Sequence, residues 1–238
     1  MDEAIATLLS NPGYLLVWAT GYFLAIYVTF AGIVWLIANA AQRPILVRPL
    51  APGQMRGEVL QSLRSVLLVG LGMVVPWTMV QAGITGIIVS ADPMDILLEC
   101  LGLVLWNDLH FYALHLLLHK RLKRSHAVHH KSVAATPFAS YSMSATEALL
   151  LGSVMPLAML VHGFSWQALI FLPVWSIFIN TLSHSNCDLL PTGKAHSILG
   201  FIRHHQSHHT HYHGNYGFFF NHLDRWFGTF RQPDAQSP

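Results

Sequence analysis

Apolar residues run along this chain in long blocks, not in the strict alternation of a strand or the narrow stripe of a surface helix. Histidine aside, no ionisable residue interrupts positions 4–42, 65–91 or 148–187. About 20 apolar residues cross a bilayer as a helix. The first two blocks therefore hold one span each. The third is long enough for two, broken at Val161-His162-Gly163-Phe164-Ser165. A further span runs from about Met94 to His119, interrupted by Glu99 and Asp108. The pattern predicts an all-α, multi-pass transmembrane bundle of about four to five spans. The first block is too long for a cleaved signal peptide and no basic residue precedes it, so it reads as a retained span.

Composition agrees: 53% of the 238 residues are hydrophobic and 10% are Asp, Glu, Lys or Arg, against roughly 25% charged in a soluble domain. Threading five spans leaves Asp2, Glu3, Asp92, Asp95 and the His162 turn on one side. The other side receives segments 42–64, 119–147 and 187–238, which contain all 13 Lys and Arg residues. The positive-inside rule makes that side cytoplasmic, with the N-terminus outside and the C-terminus inside. Cys100 and Cys187 offer neither a disulfide framework nor a thiolate metal site. The basic residues lack interleaved stacking aromatics, which excludes a nucleic-acid groove. They read as anchors at a membrane surface, and Lys120-Arg121-Leu122-Lys123-Arg124 also offers a positive dock for an acidic electron donor or a phospholipid headgroup.

The cytoplasmic segments also carry the histidines. His115-x-x-x-His119 is followed by His126-x-x-His129-His130, a lone His184, and His205-x-x-His208-His209. On a helix, positions i, i+3 and i+4 share a face, so a His-x-x-His-His run is expected to aim three imidazoles at one point. Imidazole suits iron, copper and zinc. Nine such ligands exceed the needs of one four-coordinate metal, and the simplest reading is a two-metal centre gathered from several helices. Six histidines crowd positions 204–213, and the choice of His205, His208 and His209 rests on the repeated pattern. His204, His211 and His213 stay open between a place near the metals and a plain surface one. His110 falls off the ligand face by helical phase.

Asp108 precedes His115 by two helical turns on the same face. It reads as a carboxylate accepting an N–H from a ligand imidazole, or alternatively as a buried helix-pairing residue. Glu147 is either a similar carboxylate or an interfacial residue favoured by a helix N-terminus.

These residues resemble the fatty acid hydroxylase/sterol desaturase superfamily of membrane enzymes. The resemblance covers about Asp108 to Thr229. It includes Asp-x-x-Phe-Tyr-x-x-His-x-x-x-His, His-x-x-His-His-Lys-Ser, Thr-Pro-Phe-Ala-Ser, His184-Ser185-Asn186, His-x-x-His-His, Asn215-Tyr216-Gly217 and Asp224-Arg225-x-Phe-Gly-Thr. Thr-Pro-Phe-Ala-Ser and the Asn-Tyr-Gly to Asp-Arg spacing are closer to the sterol desaturase branch. The resemblance implies a transmembrane bundle with a cytoplasmic cap, two irons, O2 as co-substrate and an external electron donor, since the chain has no dinucleotide fingerprint. The ligands it implies are His115, His119, His126, His129, His130, His184, His205, His208 and His209. Asp108, Glu147, Asn215 and Tyr216 are the candidate catalytic residues. Two departures stand out. Sterol desaturases carry a histidine and then a His-Pro-x-acidic motif where this chain has Tyr141 and Ser144-Ala145-Thr146-Glu147. Fatty acyl hydroxylases carry two histidines around position 184, where Asp188 is the only nearby candidate.

The expected organisation is an N-terminal transmembrane region (1–92), a catalytic domain (93–230) and a disordered tail (231–238). The expected activity is oxygen-dependent hydroxylation or desaturation of a membrane lipid that is sterol-like, another isoprenoid or a fatty acyl chain. The compact chain, lacking a haem domain or reticulum-retrieval tail, points to a bacterial inner membrane. The alternative is a metal-binding or metal-transport protein, which predicts ligands distributed along a path through the spans. A zinc hydrolase needs only three protein ligands, and nine is too many.

Overall fold

The computed structural model describes residues 2–190, 197 and 200–232. A short α1 (Asp2–Ser10) leads into α2 (Pro12–Ala41). Asn11 starts α2 by accepting a hydrogen bond from the Gly13 amide, Pro12 fits the first turn, and Gln42 ends the helix in a left-handed conformation. Next come α3 (Gln54–Gly72) and α4 (Val74–Gln81). They are one apolar run broken at Met73, because Pro76 has no N–H to return to the Gly72 carbonyl. In α5 (Pro93–Arg121), Asp92 caps Met94, Asp95 sits in the first turn, and Lys120 and Arg121 sit in the last, matching the helix dipole at both ends. After α6 (Lys123–His126) and two 3-10 turns (His129–Lys131 and Pro137–Tyr141) come α7 (Ala145–Gly152) and α8 (Val154–Met159). Pro156 causes the break at Ser153 for the same reason as Pro76. The chain continues through α9 (Trp166–Ser183), capped by Ser165, then α10 (Phe201–His211) and α11 (His222–Trp226).

Among the described residues, four helical segments are long and apolar enough to cross a membrane: 12–41, 54–81, 93–121 and 166–183. The expected fifth, Ala145–Met159, is a shorter apolar helix. It nonetheless joins the two ends of the bundle. Ser144 Oγ lies 2.6 Å from Ser125 Oγ at the histidine end, and the turn after α8 pairs with loop 82–92 through Ile88 N and Phe164 O, 2.9 Å. The second span begins at Gln54, not at Ser65. Excluding ionic positions hid this start: Glu58 is buried against Thr136 and Gln54, while Arg56 and Arg64 face outward. Large apolar residues such as Val17, Trp18, Leu36 and Leu105 are exposed along the spans, as a lipid-facing surface requires. The chain is a multi-pass membrane protein.

Packing between spans is close where small residues allow it. A Cβ at Gly70 would lie 2.8 Å from the Thr20 backbone, so glycine lets α3 approach α2. Polar groups on three spans hold the Pro137–Tyr141 turn. The Tyr27 hydroxyl (3.0 Å) and Ser62 Oγ (2.7 Å) both donate to Phe138 O, and Asn180 Nδ2 donates to Ser140 O at 2.6 Å. Gln61 Nε2 donates to Met143 O at 2.6 Å. The membrane bundle thereby fixes the segment that faces the histidines. Residues 233–238 lie outside the described part, and with them most of the predicted tail.

Candidate metal centre

All nine predicted histidines come together, and all are buried. Their ligand atoms form two groups: His115, His119, His126, His130 and His208 in one, and His129, His184, His205 and His209 in the other. The expectation that a His-x-x-His-His run serves a single point is corrected. Positions i and i+4 stay together while i+3 turns to the neighbouring group. His126 and His130 join the five-histidine set and His129 the other; His205 and His209 join the four-histidine set and His208 crosses over. In α10 successive residues are 100° apart, so i+3 and i+4 straddle two centres; the 126–130 run reaches the same split across the end of α6 and the His129–Lys131 turn.

Within the first group, Nε2–Nε2 distances are 3.1 Å for His115–His126, 3.0 Å for His130–His126 and 3.1 Å for both His119–His208 and His208–His130. In the second, His184 lies 3.1 Å from His129 and His205 and 3.2 Å from His209. What faces across these gaps follows from the opposite ring nitrogens. His115 Nδ1 donates to Tyr216 O (2.9 Å), His129 Nδ1 to Ser142 O (3.2 Å), His184 Nδ1 to Asn180 O (2.7 Å) and His208 Nδ1 to Gly214 O (2.7 Å). A carbonyl only accepts, so each of these rings carries its proton on Nδ1 and a bare lone pair on Nε2. His129 and His184 then point two lone pairs at each other across 3.1 Å. That arrangement is repulsive unless a cation lies between them. Imidazole nitrogens held about 2.1 Å from one metal at right angles are about 3 Å apart. The residues therefore fit a metal in each group.

Burial pushes His126 and His129 down to about 4 and His184 to about 3, and drives His130, His205, His208 and His209 far below the ordinary imidazole range. The lone pairs are thus free at neutral pH without displacing a proton.

Glu147 holds the fifth oriented ring, His126, through a 2.8 Å contact from Nδ1 to Oε1 with both side chains 2% exposed. Ser144 caps the Glu147 amide at 3.2 Å, so the Ser-x-x-Glu signature that starts α7 also aims the carboxylate. The alternative of an interfacial Glu147 is set aside. Asp108 requires a correction, because among the described residues it hydrogen-bonds to none of the nine histidines. Its Oδ1 accepts the backbone amides of Phe219 (2.8 Å) and Phe220 (3.1 Å). Two helical turns carry it too far from His115, and it anchors the loop beyond Tyr216 instead. Asn215 is likewise architectural. It is buried in a left-handed conformation, Oδ1 accepting from Arg231 N at 2.7 Å and its own amide donating to Thr229 O at 2.9 Å. The Tyr216 ring lies 4.8 Å from that of His119.

Asp224, quoted above only as motif, organises this turn. Fully buried, it accepts from the amides of Tyr216 (2.8 Å) and Gly217 (2.7 Å) and from Thr229 Oγ1 (2.7 Å). A Cβ at Gly217 would fall 2.7 Å from Asp224 Oδ2, so only glycine fits. Tyr212 was also missed. Its ring lies 4.6 Å from those of His119 and His130, and its left-handed backbone ends α10. His204 is buried beside Asp224 and stacks on Phe230, outside both groups. His211 bonds to Ser207 O, and His213 is exposed. Asp188 pairs with Arg203 through both oxygens and stays away from the metal groups.

An apolar cavity of about 210 Å³ lies among α2, α3, α5, α7, α8 and α9. A separate void of about 10 Å³ lies beside the histidines. Phe111, Met143, Leu151 and Asn180 line both, and His115, His126 and His129 line the void.

The sequence model of fatty acid hydroxylases matches residues 100–229, more than half of the chain. The chain belongs to the fatty acid hydroxylase family. Within it, this hydroxylase-family protein stands closer to the sterol desaturase branch. It is 28% identical to the Delta(7)-sterol 5(6)-desaturase erg31 of Schizosaccharomyces pombe over 93% of this chain and 73% of that protein. It is 29% identical to the lathosterol oxidase of Homo sapiens over 59% of this chain and 48% of that one. With the cholesterol 25-hydroxylase-like protein of Danio rerio it shares 29% identity over 58% of this chain and 61% of that one. No solved structure matches significantly. The family and its relatives support a lipid hydroxylase or desaturase, an oxidoreductase.

Proposed function

We propose that this protein is an O2-dependent, non-haem di-iron oxidoreductase that hydroxylates or desaturates a C–H bond of a membrane lipid, with a sterol or related isoprenoid as the favoured class. The observation that carries the reading is the convergence of nine buried imidazoles in two adjoining groups, five of them with the outer ring nitrogen hydrogen-bonded, beside an apolar cavity. The chemistry supplied by two irons bound there is activation of dioxygen toward an unactivated C–H bond.

The chain's own residues supply the rest. The carbonyls of Ser142, Asn180, Gly214 and Tyr216, together with Glu147, fix which nitrogen faces inward in five of the nine rings. Asp108 and Asn215 hold the turn that carries the Tyr216 carbonyl. The Tyr212 and Tyr216 rings cover His119 and keep bulk water from it. Phe111, Met143 and Leu151 pass the substrate chain from the cavity to the void beside His115 and His129. Lys120, Arg121, Lys123, Arg124 and Lys131 are exposed next to the ligand histidines, which suits docking of an acidic electron-transfer protein. The concentration of cations at that end supports a cytoplasmic site.

The two histidine groups lie at one end of the bundle, an arrangement unlike the path of ligands that metal transport requires. Mass spectrometry of lipids from aerobic cells expressing wild type or His130→Ala tests the proposal. A species one oxygen heavier or two hydrogens lighter, present only with wild type, is expected. Lipid profiles that stay identical while the cells' metal uptake changes would overturn it.

A further inference from the structure

Most of the cavity wall is apolar, yet α5 presents two polar side chains to it one turn apart, Asn107 and His110. They are 5% and 6% exposed, and both sit inside a membrane span, where a polar group is costly and marks a functional site by default. Positions i and i+3 share a helix face. The Asn107 side-chain nitrogen is buried with no hydrogen-bond partner. Such an orphan is destabilising unless something else accepts from it. The second polar group is defined by its neighbour. Ser153 Oγ donates to Leu150 O at 2.7 Å, so its single proton is used. At 3.1 Å from His110 Nε2, the same oxygen therefore accepts. His110 then carries its proton on Nε2, and Nδ1 is the ring's acceptor. A donor amide and an acceptor imidazole thus stand side by side on the wall of an apolar space. Of the wall's other amide, Asn180, Nδ2 is committed to Ser140 O.

We propose that Asn107 and His110 form a subsite for one hydroxyl group of the substrate, with the hydroxyl oxygen accepting from Asn107 and its proton donated to His110, so that the substrate is a lipid alcohol. This rests on the reading of the cavity as the lipid site. His115 lies five and eight residues further along α5, so the subsite is about 7–12 Å short of the metal-facing end at 1.5 Å per residue. The hydroxyl therefore anchors one part of the molecule while a more distant carbon reaches the histidines.

The full chain in lipid nanodiscs, photolabelled with a diazirine cholesterol, provides the test. Competition is measured with cholesterol against cholest-5-ene, which lacks the hydroxyl, and with hexadecan-1-ol against hexadecane, at equal mole fractions. Wild type is expected to prefer at least one alcohol over its deoxy partner about ten-fold or more, since the analogue leaves the subsite unpaired. In Asn107→Leu and His110→Leu that preference falls to about two-fold or less, with bound metal at the wild-type level. Equal competition by alcohol and hydrocarbon in both pairs with wild type overturns the subsite, whatever the variants do. So does an unchanged preference in folded, metal-loaded variants. Wild type that oxidises lipid yet shows no preference refutes the subsite alone. A clear preference with no lipid oxidation keeps the subsite and refutes the oxidase.

Discussion

Replacing Glu147 separates orienting a ligand from merely filling space. Its Oε1 receives the His126 Nδ1 proton at 2.8 Å, and both side chains are 2% exposed, so solvent does little to weaken the contact. Glu147→Leu leaves a buried N–H unpaired and frees the ring to turn or change tautomer. Loss of such an outer partner typically costs 10–100-fold in metal affinity, or about 1.4–2.7 kcal/mol. That agrees with roughly 1.5–3 kcal/mol for a hydrogen bond to a charged group. Glu147→Gln keeps an acceptor oxygen in place and should lose several-fold less. Because His126 belongs to only one group, a graded chelator should strip the metal of the five-histidine set first and leave the other. The assay is metal content of purified protein against chelator concentration. A Leu variant that holds both metals as tightly as wild type, or loses both together, would refute the assignment.

Three other outcomes follow from the same geometry. His184→Ala removes one of four ligands from the second group and should lower bound metal from two toward one per chain, measured by elemental analysis. Gly217→Ala forces a Cβ against Asp224 Oδ2 at 2.7 Å; a cost of about 1–3 kcal/mol should appear as a lower melting temperature together with weaker metal retention, because Tyr216 O steadies His115. Metal-free protein should lose stability on acidification. His126 and His129 titrate at about 4 when folded and near 6.5 when unfolded, so the unfolded chain binds more protons below pH ~6.5. Burial raises Glu147 to about 7, which acts the opposite way, but the lowered histidines outnumber it, so stability declines from about pH 6.5 toward pH 4, as melts from pH 7.5 to 4.5 would record.

Much of this was legible in the sequence because side chains carried it. Uncharged blocks located the spans, and His spacing selected the nine residues that converge. What stayed hidden depends on backbone atoms and on contacts distant in sequence. The carbonyls of Ser142, Asn180, Gly214 and Tyr216 leave no trace in residue identity. Asp108 shares a helix face with His115, but phase alone does not show that the amides of Phe219 and Phe220 arrive first. The start of α3 was lost because Glu58 looks ionic until its buried partners are known. The division of His205-x-x-His208-His209 between two centres is implicit in the 100° step, while that of His126-x-x-His129-His130 depends on the turn after α6. It became visible only when the companion helices were in place.

The most direct test of the account is the metal content of the full chain, purified after expression with iron and assayed beside a variant with His115, His119 and His208 all changed to alanine. Two irons per wild-type chain, with no more than the four-histidine set's single iron left in the variant, is the predicted result. Wild type that binds none, or binds metal that the triple variant retains in full, would contradict it.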